Sequence, residues 1–419
     1  MQFLYFIYLA LFNTVSSSSF SPYNFRFAFN TNNKMTISWS TKSLYEFKPI
    51  ILYGKCSDKL NLLAEGDSFQ YHDSSVHHHV STNSLEYEKL YFFSVGDGIT
   101  MSQVKNFTSA PGITLNKSKN IAIYGDMGVE NSDNTIHRLK NKNDIDFFIH
   151  MGDISYADDK GSLFGSNPVY ESTYDKFQEI TEFNKPYMVC PGNHDISCHS
   201  WSDFGCKSNF LNFTAFNSRF KMPSNGSKNM WYSFNFGPIH FVSINTETDY
   251  PGAPTTPHSI LGSGSGGGFG NQLRWLENDL SLVNRTERPW IIVYGHRPMY
   301  SGNIVDIPFN MKNRMRKAFE NILLKYNVDI YFAGHIHAYE RMSKVKNGKK
   351  DKNGIYHIIS GAAGCQEKPH DSDYLKHDYT EYSNYKDFGY GILTVLGNNS
   401  LVWKYYRSSD DILLDFFNF

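Results

Sequence analysis

Residues 145–158 read IDFFIHMGDISYAD. The first seven form a strand-length, mostly apolar run, Ile145 to Met151, the pattern of a strand covered on both faces. Gly152 and Asp153 follow with no spacer, then Ile154, Ser155 and Tyr156. A glycine lets the chain turn sharply and brings backbone close to a ligand, so a carboxylate and a phenol are delivered at the very end of a buried strand.

The same signature recurs along the second half of the chain. IAIYG from Ile121 runs into Gly125-Asp126-Met127-Gly128, and PYMVC from Pro186 into Gly192-Asn193-His194-Asp195. WIIVYG from Trp290 runs into Gly295-His296-Arg297, and DIYFA from Asp329 into Gly334-His335-Ile336-His337. IHFVSI from Ile239 and IYHIIS from Ile355 are further strand-length runs. Between several of them lie NQLRWLENDLSLV and MKNRMRKAFENILLKY, whose apolar positions recur at three and four and predict helices. Strands alternating with helices define a layered α/β domain over residues 119–419, and YGILTV with LVWKYY predicts an antiparallel pair closing it.

In such sheets ligands bind beyond the carboxyl ends of the strands, where successive loops converge. The converging donors are two carboxylates, one phenol, one amide and three imidazoles. This oxygen and nitrogen set suits hard and borderline metals. Seven donors exceed the needs of one tetrahedral ion and fit two ions sharing a bridging carboxylate, the arrangement for in-line attack at phosphorus.

Ahead of this domain the texture differs. FRFAF, KMTISWS, PIILYG, HHHVST, LYFFSVG and VKNFTS are short β-like runs with turns between them, and they predict an all-β sandwich over residues 21–112. The run His77-His78-His79 reads as a surface feature, since neighbours on a strand point to opposite faces and at most two share a site. Forty Lys and Arg against 41 Asp and Glu leave a net charge of −1. Nothing therefore steers the whole molecule to nucleic acid or an anionic membrane, and anion recognition must be local.

Phe3 to Phe12 is an apolar run followed by small polar residues, and it reads as a signal peptide over residues 1–18, too short to span a bilayer. Six N-x-S/T sequons, at Asn106, Asn116, Asn212, Asn225, Asn284 and Asn398, accord with export. Five cysteines are present, an odd number, and Cys198 with Cys206 is the best candidate disulfide. The insert Pro251 to Gly270 carries GSGSGGGFG and has the composition of a mobile loop.

The order GDxG, GDxxY, GNHD, VxxH and GHxH, with GDISYAD at 152–158, YGHRPMY at 294–300 and GHIHAYER at 334–341, resembles the purple acid phosphatase branch of the metallophosphoesterases. RFKMP from Arg219, WYSFNFGPIHFVSINTE from Trp231 and RWLENDL from Arg274 extend the likeness. The resemblance implies a layered αββα catalytic domain preceded by a fibronectin type III-like sandwich, in the larger two-domain form. It implies Fe(III) held by Asp126, Tyr156 and His337, and Asp153 bridging to a divalent ion (Zn, Fe or Mn) held by Asn193, His296 and His335.

It further implies a secreted or endolysosomal or vacuolar acid phosphatase, hydrolysing small phosphate monoesters by attack of metal-activated hydroxide. His194 would bind phosphate, as Asn193 also would, or protonate the leaving oxygen, while Asp158 and Asp195 would orient groups around the metals. Two departures stand out. Asp195 replaces the Glu many members carry, and SGNIVDIP from Ser301 lacks the pair of histidines of larger plant-type members, which leaves monoester against diester or nucleotide substrates open. A non-catalytic binding protein on the same scaffold would have lost ligands; none of the seven is missing.

Overall fold

The computed structural model describes residues 21–42, 47–160, 167–199, 205–254, 267–303, 311–369, 374–398 and 400–419. The expected leader, residues 255–266 of the glycine-rich insert and 304–308 of the SGNIVDIP segment lie outside them.

Eight strands build the first domain: β1 (Tyr23–Asn30), β2 (Lys34–Thr41), β3 (Ile50–Gly54), β4 (Leu62–Glu65), β5 (Asp67–Phe69), β6 (Val76–Ser81), β7 (Leu90–Gly96) and β8 (Lys105–Thr108). They form two four-stranded sheets, ordered β1-β2-β6-β5 and β4-β3-β7-β8. Alternate residues Met35, Ile37 and Trp39 fill the core with Ile51, Tyr53, Phe93 and Val95, the period-2 placement that a pleated strand imposes.

The histidine run on β6 corrects its surface reading, because His77, His78 and His79 are all buried. His77 Nδ1 lies 3.0 Å from Ser40 Oγ, and His79 Nδ1 lies 2.7 Å from Ser38 Oγ. The outer face of this sheet is covered by the second domain: His79 Nε2 donates to the Ser218 carbonyl at 2.9 Å. From the opposite face, His78 Nε2 meets Thr41 Oγ1 at 2.9 Å. Among the described residues, none of the three belongs to a group of potential metal ligands.

Other residues fasten the two domains. Arg26 on β1 donates to the Gln178 carbonyl at 2.7 Å and to Thr181 Oγ1 at 2.8 Å, serving a carbonyl that the end of helix Asn167–Ile180 leaves without an intrahelical donor. Arg219, fully buried, reaches Glu171 at 2.5 Å, Asp175 at 2.7 Å and the Tyr71 hydroxyl at 2.9 Å. Tyr71 belongs to the sandwich; the two carboxylates belong to the helix. A guanidinium can stay charged at such depth only with carboxylates this close.

The second domain has two facing sheets. In the first, the order is β13 (Tyr187–Cys190), β11 (Ile145–Met151), β9 (Lys119–Tyr124), then the antiparallel hairpin strands β22 (Gly389–Leu396), β23 (Ser400–Arg407) and β24 (Leu413–Asn418). In the second, β14 (Tyr232–Phe236), β15 (Ile239–Ser243), β16 (Trp290–Tyr294), β17 (Ile330–Ala333) and β20 (Ile355–Ser360) lie side by side, with β15, β16, β17 and β20 parallel. Beyond them β18 (Tyr339–Lys346) pairs with β19 (Lys349–Lys350) and β21 (Thr380–Asn384), and β10 (Met127–Gly128) and β12 (Ile154–Ser155) form a separate short pair.

Alternation again sorts the side chains. On β16, Ile292 and Tyr294 face the space between the sheets, whereas Ile291 and Val293 face outward onto Leu276, Leu280, Phe319 and Leu323 of the covering helices. Phe147 against Phe241 and Phe332 against Trp403 seal the inter-sheet core, with ring centroids 5.8 and 5.0 Å apart. The expected disulfide is present between Cys198 and Cys206, and Cys56, Cys190 and Cys365 are free.

Candidate metal centre

Both sheets end their parallel strands at one edge. Asp126 follows β9, Asp153 follows β11, Asn193 follows β13, His296 follows β16, and His335 and His337 follow β17. The loops there are contorted: Asp126, Asp153, Tyr156 and His335 have φ of 60°, 54°, 51° and 68°. Such left-handed conformations cost roughly 1–3 kcal/mol each in a non-glycine residue, and they persist only where surrounding structure imposes them, often at functional sites.

Two glycines make the approach possible. A Cβ on Gly192 would sit 2.2 Å from Asp153 Oδ1, and one on Gly152, itself at φ 77°, would sit 2.6 Å from His296 Nδ1. Hence the sharp turns read from the motifs are also contact points between neighbouring strand ends.

The structure gathers the seven predicted donors into two linked groups. Tyr156 Oη lies 2.9 Å from His337 Nε2 and 3.3 Å from Asp126 Oδ1. His296 Nε2 lies 3.1 Å from Asn193 Oδ1, and Asp153, His296 and His335 offer ligand atoms within 4.8 Å of one another. Asp153 Oδ2 joins the groups, 3.4 Å from Tyr156 Oη and 3.0 Å from His296 Nε2.

Neighbours fix which atoms point inward. His296 Nδ1 donates to the Met151 carbonyl at 2.8 Å, which turns Nε2 toward Asp153 and Asn193. Asp195 accepts from the backbone N–H groups of Gly192 at 2.8 Å and Asp153 at 3.1 Å. Despite being one methylene shorter than Glu, it thus splints two ligand-bearing loops. Asp158 is fully buried, and its Oδ2 lies 2.9 Å from His194 Nδ1, so its placement is interior and against the His194 ring.

Burial and mutual charge set the ionisation. Burial pushes the Tyr156 phenol well above its ordinary range, helped by Cys365, Asp126 and Asp153 nearby. Burial also opposes ionisation of Asp153, but His296 and His194 outweigh it and hold that carboxyl well below its usual value. Burial lowers His296, yet Asp153 prevails and raises it to about 9. Desolvation, reinforced by Arg297, pushes His335 well below the imidazole range. Buried carboxylates and imidazoles crowded so tightly, with a phenol that only a strongly charged neighbour would ionise, fit a cluster of cations.

Some residues of the site carried no prior assignment. Glu247, fully buried, accepts from Arg297 Nε at 2.8 and 3.0 Å, and Arg297 Nη1 lies 2.9 Å from His335 Nε2. Glu367 leans over the pocket, 3.6 Å from His337 Nε2 and 3.9 Å from His194 Nε2. Cys365 Sγ lies 3.4 Å from His337 Nδ1. The stretch after β20, SGAAGC, repeats the strand-then-glycine signature of the other five loops and was the available clue.

Two facing sheets with acidic, amide and imidazole groups at the strand ends define a calcineurin-like phosphoesterase, and the family model of that description matches residues 119–339. Models for the purple acid phosphatase N-terminal domain and the iron/zinc purple acid phosphatase-like C-terminal region match residues 22–109 and 354–416. The chain belongs to the purple acid phosphatase family and is an acid phosphatase. It is 30% identical to a probable purple acid phosphatase 20 of Arabidopsis thaliana, over 91% of this chain and 83% of that one. Identity to acid phosphatase type 7 of Mus musculus is 31%, over 80% and 75%. The fold matches a purple acid phosphatase from yellow lupin seeds with a TM-score of 0.76 at 21% identity, covering 95% of this chain and 74% of that one.

Proposed function

We propose that the enzyme hydrolyses small phosphate monoesters at acidic pH with a dinuclear Fe(III) and divalent centre. Asp126, Tyr156 and His337 would hold the ferric ion, Asn193, His296 and His335 the divalent ion (Zn, Fe or Mn), and Asp153 both. The observation that carries this reading is the position of Asp153 Oδ2, within 3.4 Å of the phenol on one side and 3.0 Å of an imidazole on the other. When bound, the ions lower the pKa of a water nucleophile and neutralise phosphoryl oxygens.

The protein's own groups supply the rest. His194 sits beside the phenol ring, with centroids 4.4 Å apart, and its backbone N–H donates to Asp153 Oδ1 at 2.8 Å. Burial disfavours its protonated form, but Asp158 and Asp153 more than offset this and hold its pKa well above 6.5. It therefore carries a proton to bind a phosphate oxygen or to give to the departing alkoxide. On the opposite side Arg297, paired with Glu247, places its Nη1 2.9 Å from His335 Nε2 and so braces that imidazole.

Export to the exterior or to an endolysosomal or vacuolar lumen belongs to the same proposal. The sequon residues Asn106, Asn116, Asn225 and Asn284 are exposed, and Asn212 and Asn398 half-buried. No helix among the described residues is long and apolar enough to cross a membrane.

Elemental analysis and visible spectroscopy of the purified protein, with aryl monophosphate and diester assays, test the reading. We expect two metals per chain, a visible absorption band and monoester hydrolysis in acid. Tyr156→Phe should lose the band while keeping much of the activity; an unaltered band in that variant would remove the phenol from the ligand set.

A further inference from the structure

The sequons are not equivalent once the chain has folded. Asn212 opens one of them, Asn212-Phe213-Thr214, and its carboxamide is used twice on a single residue. The Gly267 N–H donates to Asn212 Oδ1 at 2.9 Å, and Asn212 Nδ2 donates to the Gly267 carbonyl at 3.2 Å. Two such bonds side by side need the amide proton that lies on the same side as Oδ1, because the amide is planar and only that N–H points along the carbonyl. Asn212 and Phe213 hold φ of 53° and 59° in succession, a left-handed pair that persists only where contacts impose it. The Phe213 N–H donates to the Ile196 carbonyl at 2.9 Å. Ile196 follows Asp195, so this clasp is tied to the edge where the candidate ligands gather.

Asn116 and Asn284 are placed otherwise. Both are exposed. Asn116 Nδ2 makes one surface contact, with Glu88 Oε2 at 3.3 Å. Asn284 accepts through Oδ1 from the Thr286 N–H at 3.1 Å, and among the described residues its Nδ2 has no partner. Asn116 stands three residues before β9 and Asn284 six before β16, both at the edge where these parallel strands start. Gly237 joins them: its carbonyl accepts from Arg288 Nη1 at 2.6 Å, and a Cβ on it would sit 2.8 Å from Leu115 Cδ2. The six residues of β9 separate this edge from Asp126 by about 20 Å.

We infer that N-glycans are carried at Asn116 and Asn284, on the pole opposite the metal centre, and that Asn212 stays unmodified as a clasp beside it. The inference rests on the proposed export. In the secretory lumen, Asn Nδ2 displaces the diphosphate of a lipid-linked oligosaccharide from the sugar C1. The N–C1 bond forms, the C1–O bond breaks and the amide gives up one proton. The product is a secondary amide, whose trans form is favoured by about 2.5 kcal/mol. Trans puts the sugar on the Oδ1 side and leaves the one remaining N–H pointing away from it, so the paired contact with Gly267 is lost. The sugar is attached before folding is complete, and a chain bearing it at Asn212 cannot close the clasp. The folded, active fraction is therefore bare there, and the loops that carry the candidate ligands have no glycan at that position over them.

The full chain, secreted by a eukaryotic host and purified as active enzyme, tests this. Peptide-N-glycosidase digestion in heavy-oxygen water labels each asparagine that bore a glycan, and peptide mass mapping locates the label. We expect label at Asn116 and Asn284 and none at Asn212. Thr214→Val removes the sequon but leaves the Asn212 carboxamide, and it should leave the glycan mass of the protein unchanged, whereas Asn284→Gln should lose one glycan. Asn212→Asp keeps Oδ1 and removes the donor, and its melting temperature should fall by about 2 °C. Label at Asn212 in the active enzyme, or an Asn212→Asp variant that melts with wild type, would overturn the clasp. A secreted, active enzyme bare at Asn116 and Asn284 would overturn the glycan assignment. A chain that stays inside the cell with no label at any sequon would instead remove the export on which both depend.

Discussion

His79 lies between the two domains, and its burial makes the docking of the sandwich acid-sensitive. Desolvation lowers its pKa to about 3, with Lys221 and His78 adding positive charge nearby, despite the opposing hydrogen bond to Ser218. In the unfolded chain the imidazole returns to about 6.5. Between those values the unfolded state binds the extra proton and the folded state does not. The contribution is therefore complete above the unfolded pKa and drains away as pH falls toward the folded one. From neutral pH to about pH 4.5 the loss from this one group is about 2.5 kcal/mol.

His79→Gln tests it. The amide can still donate to the Ser218 carbonyl, so at neutral pH the substitution should cost about 1 kcal/mol. Because glutamine does not titrate, the variant escapes the acid penalty, and near pH 4.5 it should match or exceed wild type. Denaturant unfolding followed by tryptophan fluorescence at both pH values measures the crossing. A difference between wild type and variant that is the same at both would mean that His79 is protonated or hydrated in the folded protein, and the argument from burial would fail.

Three other outcomes follow from named contacts. Arg219→Met takes the permanent cation from the buried Glu171, leaving it His72 and the Tyr71 hydroxyl, and should destabilise by about 3 kcal/mol, with Glu171→Gln restoring part of the loss in thermal melts. Cys206→Ser opens the short loop closed by Cys198 and should cost about 2–3 kcal/mol in the chain-entropy account; equal melting of variant and wild type under oxidising conditions would contradict it. Gly192→Ala places a methyl 2.2 Å from Asp153 Oδ1, so metal content by elemental analysis should fall sharply, and full occupancy would show that the loops yield more than the packing suggests.

The site was legible because its information is local. Five donors directly follow the glycine after a buried strand, and Tyr156 and His337 stand four and three residues beyond theirs, so that strand, turn and donor share one short stretch. Parallel topology then does the gathering, since every such strand finishes at the same edge. The two-sheet layering was legible for a related reason: Ile291 to Tyr294 are all apolar, and only a strand covered on both faces tolerates that.

What escaped is what depends on a partner far along the chain. His77 and His79 read as surface residues in the sequence, and nothing near them announces that Tyr71 and Ser218 will cover that face. The bond from Arg297 to Glu247 spans 50 residues, and the packing contact of Cys365 on the His337 ring spans 28. Strain is hidden in the same way: nothing in the letters Asp126, Asp153, Tyr156 and His335 marks a left-handed backbone, since the cost is imposed by contacts made after the strands have paired. The candidate ligands, and Asp158 and Asp195 beside them, are therefore readable from short motifs, whereas braces that come from far along the chain, such as Glu247, are readable only once it has folded. Orientation is nevertheless what separates a set of seven donors from a working centre, because a ring flipped at His296 would turn Nε2 away from Asp153 and Asn193 and give up the Nδ1 contact with the Met151 carbonyl.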